Sequence, residues 1–293
     1  MPRHARTDPF GPSIERLIAA SERRGTAPFA RVRFPEALDP AASVLPEAFV
    51  SLRSHPVYAL LDGEQRRRLG LLETVNFFSL NIHGEQALVA GLAERLYRNR
   101  WPGESARLSR YLQHFIHDEN SHTYMLAEYC SRYGDGVMPE HVYAFESSAL
   151  SRRGLDLLFF GRVYVLETFL DHVNRGVMRD PAVDPTTRAV HRSHHVDESL
   201  HIAFDRVILS SLARILDDEG LAAEKATVGI LLRGYAEYAF ARLLNPRVYR
   251  ALGLPEPLRL VDEVRASAAW RAFKAGIMDR QFADLNKLGV VPP

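Results

Sequence analysis

Apolar positions along this 293-residue chain recur at three- and four-residue spacing over most of its length, and strand-like alternation is almost absent. The pattern predicts a helix over residues 13–24, then a loop-like stretch punctuated by Pro28, Pro35, Pro40 and Pro46. Four long helices come next. The first covers 71–99 and stops at Trp101-Pro102-Gly103, and the second covers 105–133 and stops at Gly134-Asp135-Gly136. The third covers 154–177, and the fourth opens at Asp184-Pro185, a cap followed by an N1 proline, and reaches 215. Two more, 221–244 and 261–288, are separated by Asn245-Pro246 and a proline-rich segment. The expectation is an all-α protein of one domain, 1–293. It has an extension over 1–70, a four-helix core over 71–215 and accessory helices at both ends, the later ones over 221–288.

Charged residues interrupt the apolar stripes in a patterned way. Glu119 and His122 are three apart, one turn along the same face, within a stripe of Leu108, Tyr111, Leu112, Phe115, Leu126 and Tyr129. Glu198 and His201 repeat the arrangement among Val190, Ile202, Ile208, Leu209 and Leu212. Glu85 lies on the stripe of Phe78, Ile82 and Leu92, and Glu167 on that of Phe160, Val163, Tyr164 and Leu170. Four carboxylates and two imidazoles are thus directed into a core with no lysine on the same stripes, and buried charges persist when paired or bound to metal.

Register strengthens this. Glu85 and Glu119 each stand 17 residues from Pro102. A hairpin turning at Pro102 therefore brings both acids to one height, about 25 Å from the turn at about 1.5 Å per residue. The midpoint of Glu167 and Glu198 falls at 182–183, inside the expected turn at 179–185, so the second hairpin aligns its acids as well. One lone Glu and one Glu-x-x-His per hairpin is the donor pattern of a two-metal carboxylate site in a four-helix bundle. Chance alone supplies roughly one Glu-x-x-His in such a composition, so the weight rests on the pair and its register.

Composition narrows the rest. A net charge of +1 gives no electrostatic footprint for nucleic acid or an anionic membrane, and neither is expected as a partner. The single Cys130 excludes an internal disulfide framework and a thiolate cluster. Carboxylates and imidazoles without thiolates suit iron or manganese better than structural zinc. The opening MPRHARTDPFGPS lacks the apolar run of a secretory signal and no segment is long enough to span a bilayer, so a cytoplasmic protein is expected.

The fourth helix also carries His191, His194 and His195. At about 100° per residue, His194 lies about 40° and His201 about 60° to the same side of Glu198, whereas His195 lies on the other flank and His191 two turns away. His194 is the best-placed seventh donor; an outer, structural role is its alternative. Asp118 and Asp197, each pointing about 100° from the following Glu, and Asp205, one turn after His201, are candidates to hydrogen-bond a donor imidazole. Helix-surface ion pairs are the competing reading for all three.

The order Glu85, Glu119-x-x-His122, Glu167, His194-x-x-x-Glu198-x-x-His201 resembles the non-haem di-iron arylamine N-oxygenases of the 4-aminobenzoate N-oxygenase type. The resemblance covers about 71–215, with the extra histidine as its most specific element. It implies a ferritin-like bundle, all seven residues as iron ligands and two oxo- or peroxo-bridged iron ions in preference to manganese. It further implies O2 and an external electron donor, a reductase or ferredoxin, and oxidation of an aromatic amine through hydroxylamine and nitroso stages to a nitro group. Two ferric ions, four carboxylates and one bridging oxide sum to zero charge, which a dry core tolerates. A homodimer is expected. A C–H hydroxylase or desaturase on the same scaffold, and iron storage, remain the alternatives.

Substrate contacts are less legible. From Leu69 to Glu94 the first core helix has no Lys or Arg, and Leu80, five before Glu85, is apolar. A carboxylate-bearing amine would need a cation from elsewhere, such as Arg162 or Arg233, and a larger or carrier-bound amine is also open. Tyr164, one turn before Glu167, either lines a cavity or packs in the core.

Overall fold

Ten helices build the described part of the chain, residues 11–24, 31–97, 106–139 and 150–292 of a computed structural model. They are α1 (Gly11–Arg24), α2 (Pro56–Leu60), α3 (Gly63–Tyr97), α4 (Ala106–Tyr133), α5 (Arg152–Arg179), α6 (Pro185–Asp218), α7 (Glu224–Leu243), α8 (Pro246–Ala251), α9 (Pro257–Ala266) and α10 (Ala268–Lys287). The described residues contain no strand beyond one isolated bridge between Ser43 and Val183, so the all-α expectation holds. None of the described helices is long and apolar enough to cross a membrane. The expected stop at Trp101-Pro102-Gly103 and the proline at Pro28 lie outside the described residues.

Local chemistry explains where the helices depart from expectation. α3 starts eight residues before 71 because Asp62 and Gln65 cap it reciprocally. The Gln65 N–H donates to Asp62 Oδ1 at 2.8 Å and the Asp62 N–H donates to Gln65 Oε1 at 3.0 Å. The expected 261–288 helix is two, α9 and α10. They part at Ser267, whose extended backbone ends one and whose hydroxyl accepts the Trp270 N–H at 3.1 Å to begin the other. The stop after α4 is as expected: Gly136 takes φ 93° and its N–H returns to the Cys130 carbonyl at 3.1 Å.

α3 pairs with α4 and α5 with α6, and the two hairpins meet through α3 against α5 and α4 against α6. α3 and α5 approach closely because glycines face large side chains. A Cβ on Gly84 would meet Leu166 at 2.5 Å, and one on Gly91 would meet Phe159 at 2.1 Å. These contacts are seven residues apart on both helices and run in opposite directions. The helices are therefore antiparallel, and Glu85 is brought level with Glu167. A stack of Tyr111, Phe115, Phe160 and Phe204 fills one side of this layer, with Tyr111 and Phe204 centroids 4.5 Å apart. α1 lies on α4 and α6, while α7 lies across α5 and α3. The α5–α6 turn is fixed by Asp184. Its carboxylate accepts the N–H groups of Thr187 and Asp39, both at 2.9 Å, and so ties the N-terminal extension to the bundle.

Candidate metal centre

Helix register delivers all seven sequence-derived donors to one place. Glu85 comes from α3, Glu119 and His122 from α4, Glu167 from α5, and His194, Glu198 and His201 from α6, none more than 3% exposed. They form two groups in which the candidate donor atoms lie within 4.8 Å of one another: Glu85, His122, His194 and Glu198, and Glu119, Glu167, Glu198 and His201. Glu198 belongs to both. Its oxygens stand 2.7 Å from His194 Nε2, 3.5 Å from His122 Nδ1 and 3.5 Å from His201 Nδ1. Glu119 also faces both sides, 2.9 Å from His201 Nδ1 and 3.7 Å from His122 Nδ1.

Acidic neighbours orient two of the imidazoles reciprocally. His122 on α4 turns Nε2 to Asp197 of α6 at 3.1 Å, and His201 on α6 turns Nε2 to Asp118 of α4 at 3.4 Å. Each ring thus presents Nε2 to a carboxylate and aims Nδ1 at the centre, the arrangement in which a carboxylate raises a donor's basicity. Asp197 also engages Arg31. Asp205 departs from its expected partner. It makes no hydrogen bond to an imidazole among the described residues and sits instead with its buried carboxyl group beside Glu167. His195 pairs with Asp171 outside both groups. His191 is fully buried, with Nδ1 2.7 Å from Asn174 Oδ1, and its ring is stacked on Phe77.

Packing this many acids into a dry core shifts their protonation. Burial, with Asp205 and Glu198 nearby, pushes Glu167 well above the carboxylate range, and burial raises Glu85. Burial also lifts Glu198, but the imidazoles of His194 and His201 outweigh it and hold this carboxylate below its usual range. Burial opposes a charge on His194, yet Glu198 raises that ring to about 9. His122 and His201 rise well above the ordinary value because Asp197 and Asp118 overcome the same burial. Burial, reinforced by the neighbouring His194, lowers His191 to about 3 and keeps it neutral.

The protein without metal thus holds protons that a cation would displace. Since metal binding releases them, apparent affinity is expected to rise with pH from about 6 to about 9, by about tenfold per pH unit for each proton displaced. Calorimetric titration with Fe(II) or Mn(II) across that range, in buffers of different ionisation enthalpy, checks this; a flat profile contradicts it.

The donor set fits cations. One or more atoms of each of the seven side chains is buried without a well-aligned hydrogen bond: Glu85 Oε1, Glu119 Oε1, His122 Nδ1, both Glu167 oxygens, His194 Nε2, Glu198 Oε2 and His201 Nδ1. Orphaned polar atoms at this density are costly, and all of them face one volume.

A cavity of about 240 Å³ opens beside the centre, between α3, α5 and α7. Gly84 and Leu166, the chain neighbours of Glu85 and Glu167, line it together with Leu80, Arg162, Tyr235, Tyr238 and Arg242. Arg162 lies over the Tyr235 ring, 4.5 Å from its centroid. Arg233 does not line this cavity. It is nine residues before Arg242, half a helical turn out of phase, and rests exposed over Phe282. Tyr164 is likewise elsewhere: its hydroxyl donates to Asp284 of α10. Sequence reasoning reaches α7 at Arg233 but misses Arg242, though Tyr235, Tyr238, Ala239 and Arg242 share one face of α7 by their spacing. Arg31 lies outside the helices and carries no periodic signal.

A family model described as p-aminobenzoate N-oxygenase AurF matches residues 12–289. No curated protein sequence matches the chain. Among solved structures, a point mutant of an R2-like ligand-binding oxidase with anaerobically reconstituted Mn/Fe cofactor aligns at TM-score 0.53 and 15% identity, over 96% of this chain and 95% of that one. A second point mutant of an R2-like ligand-binding oxidase, also with anaerobically reconstituted Mn/Fe cofactor, aligns at TM-score 0.53 and 14% identity, over 97% and 96%. An R2-like ligand-binding oxidase with aerobically reconstituted metal cofactor after photoconversion aligns at 0.51 and 16%, over 96% and 94%. These likenesses establish the ferritin-like bundle.

Proposed function

The chain belongs to the p-aminobenzoate N-oxygenase family and is a di-metal oxygenase, and on that premise we propose that it oxidises the nitrogen of an aromatic amine with O2, through hydroxylamine and nitroso stages to a nitro product. The observation carrying this reading is the seven-donor centre, with its third imidazole, beside a cavity walled by tyrosines. Glu85, His122, His194 and Glu198 would hold one iron ion, and Glu119, Glu167, Glu198 and His201 the other. Iron is favoured by the carboxylate and imidazole donors. When bound, the metal pair supplies O2 activation with electrons from an external carrier, a reductase or ferredoxin.

The chain's own residues position and shield. Asp118 and Asp197 fix His201 and His122 with Nδ1 inward. Phe115, stacked on His201 at 3.9 Å between centroids, keeps that side dry. The cavity is large enough for a single substituted benzene ring, with the amine toward Gly84 and Leu166 and the far substituent toward Arg162 and Arg242. Both cations come from helices other than α3 and line the cavity, so an anionic substituent is the complementary group.

The test is reconstitution with Fe(II), reduction, exposure to ¹⁸O2 and a panel of aminoarenes, with products read by mass spectrometry. N-oxygenated products carrying ¹⁸O are expected. Products hydroxylated only at carbon would move the protein to the hydroxylases, and iron oxidation without amine conversion would move it to iron storage.

A further inference from the structure

A groove of about 460 Å³ runs between α5, α6 and α10, away from the substrate cavity. Its α5 wall carries Tyr164, Thr168, Asp171 and Arg175, whereas Arg162 and Leu166 face the cavity. At about 100° per residue the two sets lie on roughly opposite sides of the helix. Thr168 and Ile202, both in the groove, directly follow the donors Glu167 and His201 in the chain. The width of one helix, about 10 Å, therefore separates the groove from the centre, and a partner seated there leaves the substrate cavity open.

The groove is unbalanced in charge. Arg175, Arg206, Arg280 and Lys287 stand against Asp171 and Asp284, a formal sum of +2, whereas the entire chain carries +1. Both acids are already engaged. Asp284 pairs with Arg206 at 2.6 Å and accepts from the Tyr164 hydroxyl, and Asp171 pairs with His195 of α6. Arg175, Arg280 and Lys287 are exposed and form no ion pair with any described residue. These three cations are also spread out. α10 runs antiparallel to α5, since Asp284 meets Tyr164 and Gln281 meets Thr168. In that register Arg280 lies about 10 Å along the groove from Lys287, and Arg175 about 10 Å further. A cationic track about 20 Å long suits the acidic face of a small protein, while a single phosphate calls for cations that converge on one point.

Building on the N-oxygenase reading, we propose that the groove docks the electron donor, a small acidic iron–sulfur protein of the ferredoxin type, whose carboxylates pair with Arg175, Arg280 and Lys287. The first oxidation, R–NH2 + O2 + 2H⁺ + 2e⁻ → R–NHOH + H2O, draws both electrons from reduced carrier, one per docking event, and the carrier leaves oxidised. Complementary charge steers such a partner onto the groove and makes its binding sensitive to salt.

The test uses the full chain with an acidic plant-type [2Fe–2S] ferredoxin as probe. Calorimetry reads its binding to metal-free and Fe(II)-loaded protein, and absorbance reads its oxidation in the presence of O2 and amine. The unaltered protein is expected to bind it with an affinity that falls as salt is raised. Arg280→Glu/Lys287→Glu should weaken binding at least about tenfold and slow carrier oxidation in parallel. Arg53→Glu/Arg192→Glu reverses as many exposed charges elsewhere and should leave both unchanged. A single turnover of Fe(II)-loaded protein with O2 and amine needs no carrier, so its yield should be equal in all three proteins. If it gives no N-oxygenated product even in the unaltered protein, the N-oxygenase reading falls, whatever the ferredoxin does. The docking site itself is overturned by an absence of salt-sensitive binding in the unaltered protein, by undiminished binding in the groove variant, or by an equal loss in the control pair. Inorganic pyrophosphate that occupies the groove without displacing ferredoxin overturns it as well. Melting temperatures verify that each variant folds.

Discussion

Replacing Glu198 by glutamine is expected to empty both halves of the centre, taking metal content from two ions per chain to less than one. N-oxygenation should fall by at least about a thousandfold, the equivalent of about 4 kcal/mol. Glutamine keeps the volume and one neutral oxygen, so the bundle should still fold. What it removes is the negative charge common to both donor groups, close to His122, His194 and His201 at once. A donor serving one ion predicts loss of one ion; a shared donor predicts loss of two. Glu128, which pairs with Arg132 on the outer side of α4, is the control, and Glu128→Gln should keep both ions. Plasma mass spectrometry of desalted protein decides it, and retention of two ions in Glu198→Gln would remove this residue from the centre.

Arg162 and Arg242 carry the second large effect. With an amino-substituted benzoate as substrate, Arg162→Met/Arg242→Met is expected to lower kcat/KM by about 10²–10³-fold, the scale for truncating a buried charged partner. With the methyl ester of the same amine, which has no charge to clamp, the change should stay within a few-fold. Metal content should not change, since neither arginine belongs to either donor group. Steady-state kinetics on the two substrates separates the outcomes. A parallel loss on acid and ester would mean that the arginines shape the cavity without recognising charge.

The centre was unusually legible because helices convert sequence spacing into height. Glu85 and Glu119 are equidistant from Pro102, and Glu167 and Glu198 from 182–183, so register alone aligned the acids, although the first turn lies outside the described residues. Asn174 and His191 are also equidistant from 182–183, and their hydrogen bond follows from the same arithmetic, which a search limited to titratable pairs passes over. Partners set by tertiary packing were not legible. Tyr164 finds Asp284, 120 residues away, because α10 folds back on α5. Arg242, not Arg233, lines the cavity because α7 lies across α3 and α5 with one face inward, a phase that its own periodicity does not relate to Glu85. Asp205 carried the spacing of an imidazole partner but the angle of a neighbour to Glu167. Asp62 and Ser267 were readable as caps, and their omission misplaced the start of α3 and merged α9 with α10.

The most direct test of the central claim is anomalous diffraction from crystals of the Fe(II)-reconstituted protein, recorded on either side of the iron edge. The account predicts two peaks within the bundle. One should lie among Glu85, His122, His194 and Glu198, the other among Glu119, Glu167, Glu198 and His201. A single peak, or peaks away from these seven residues, would contradict it.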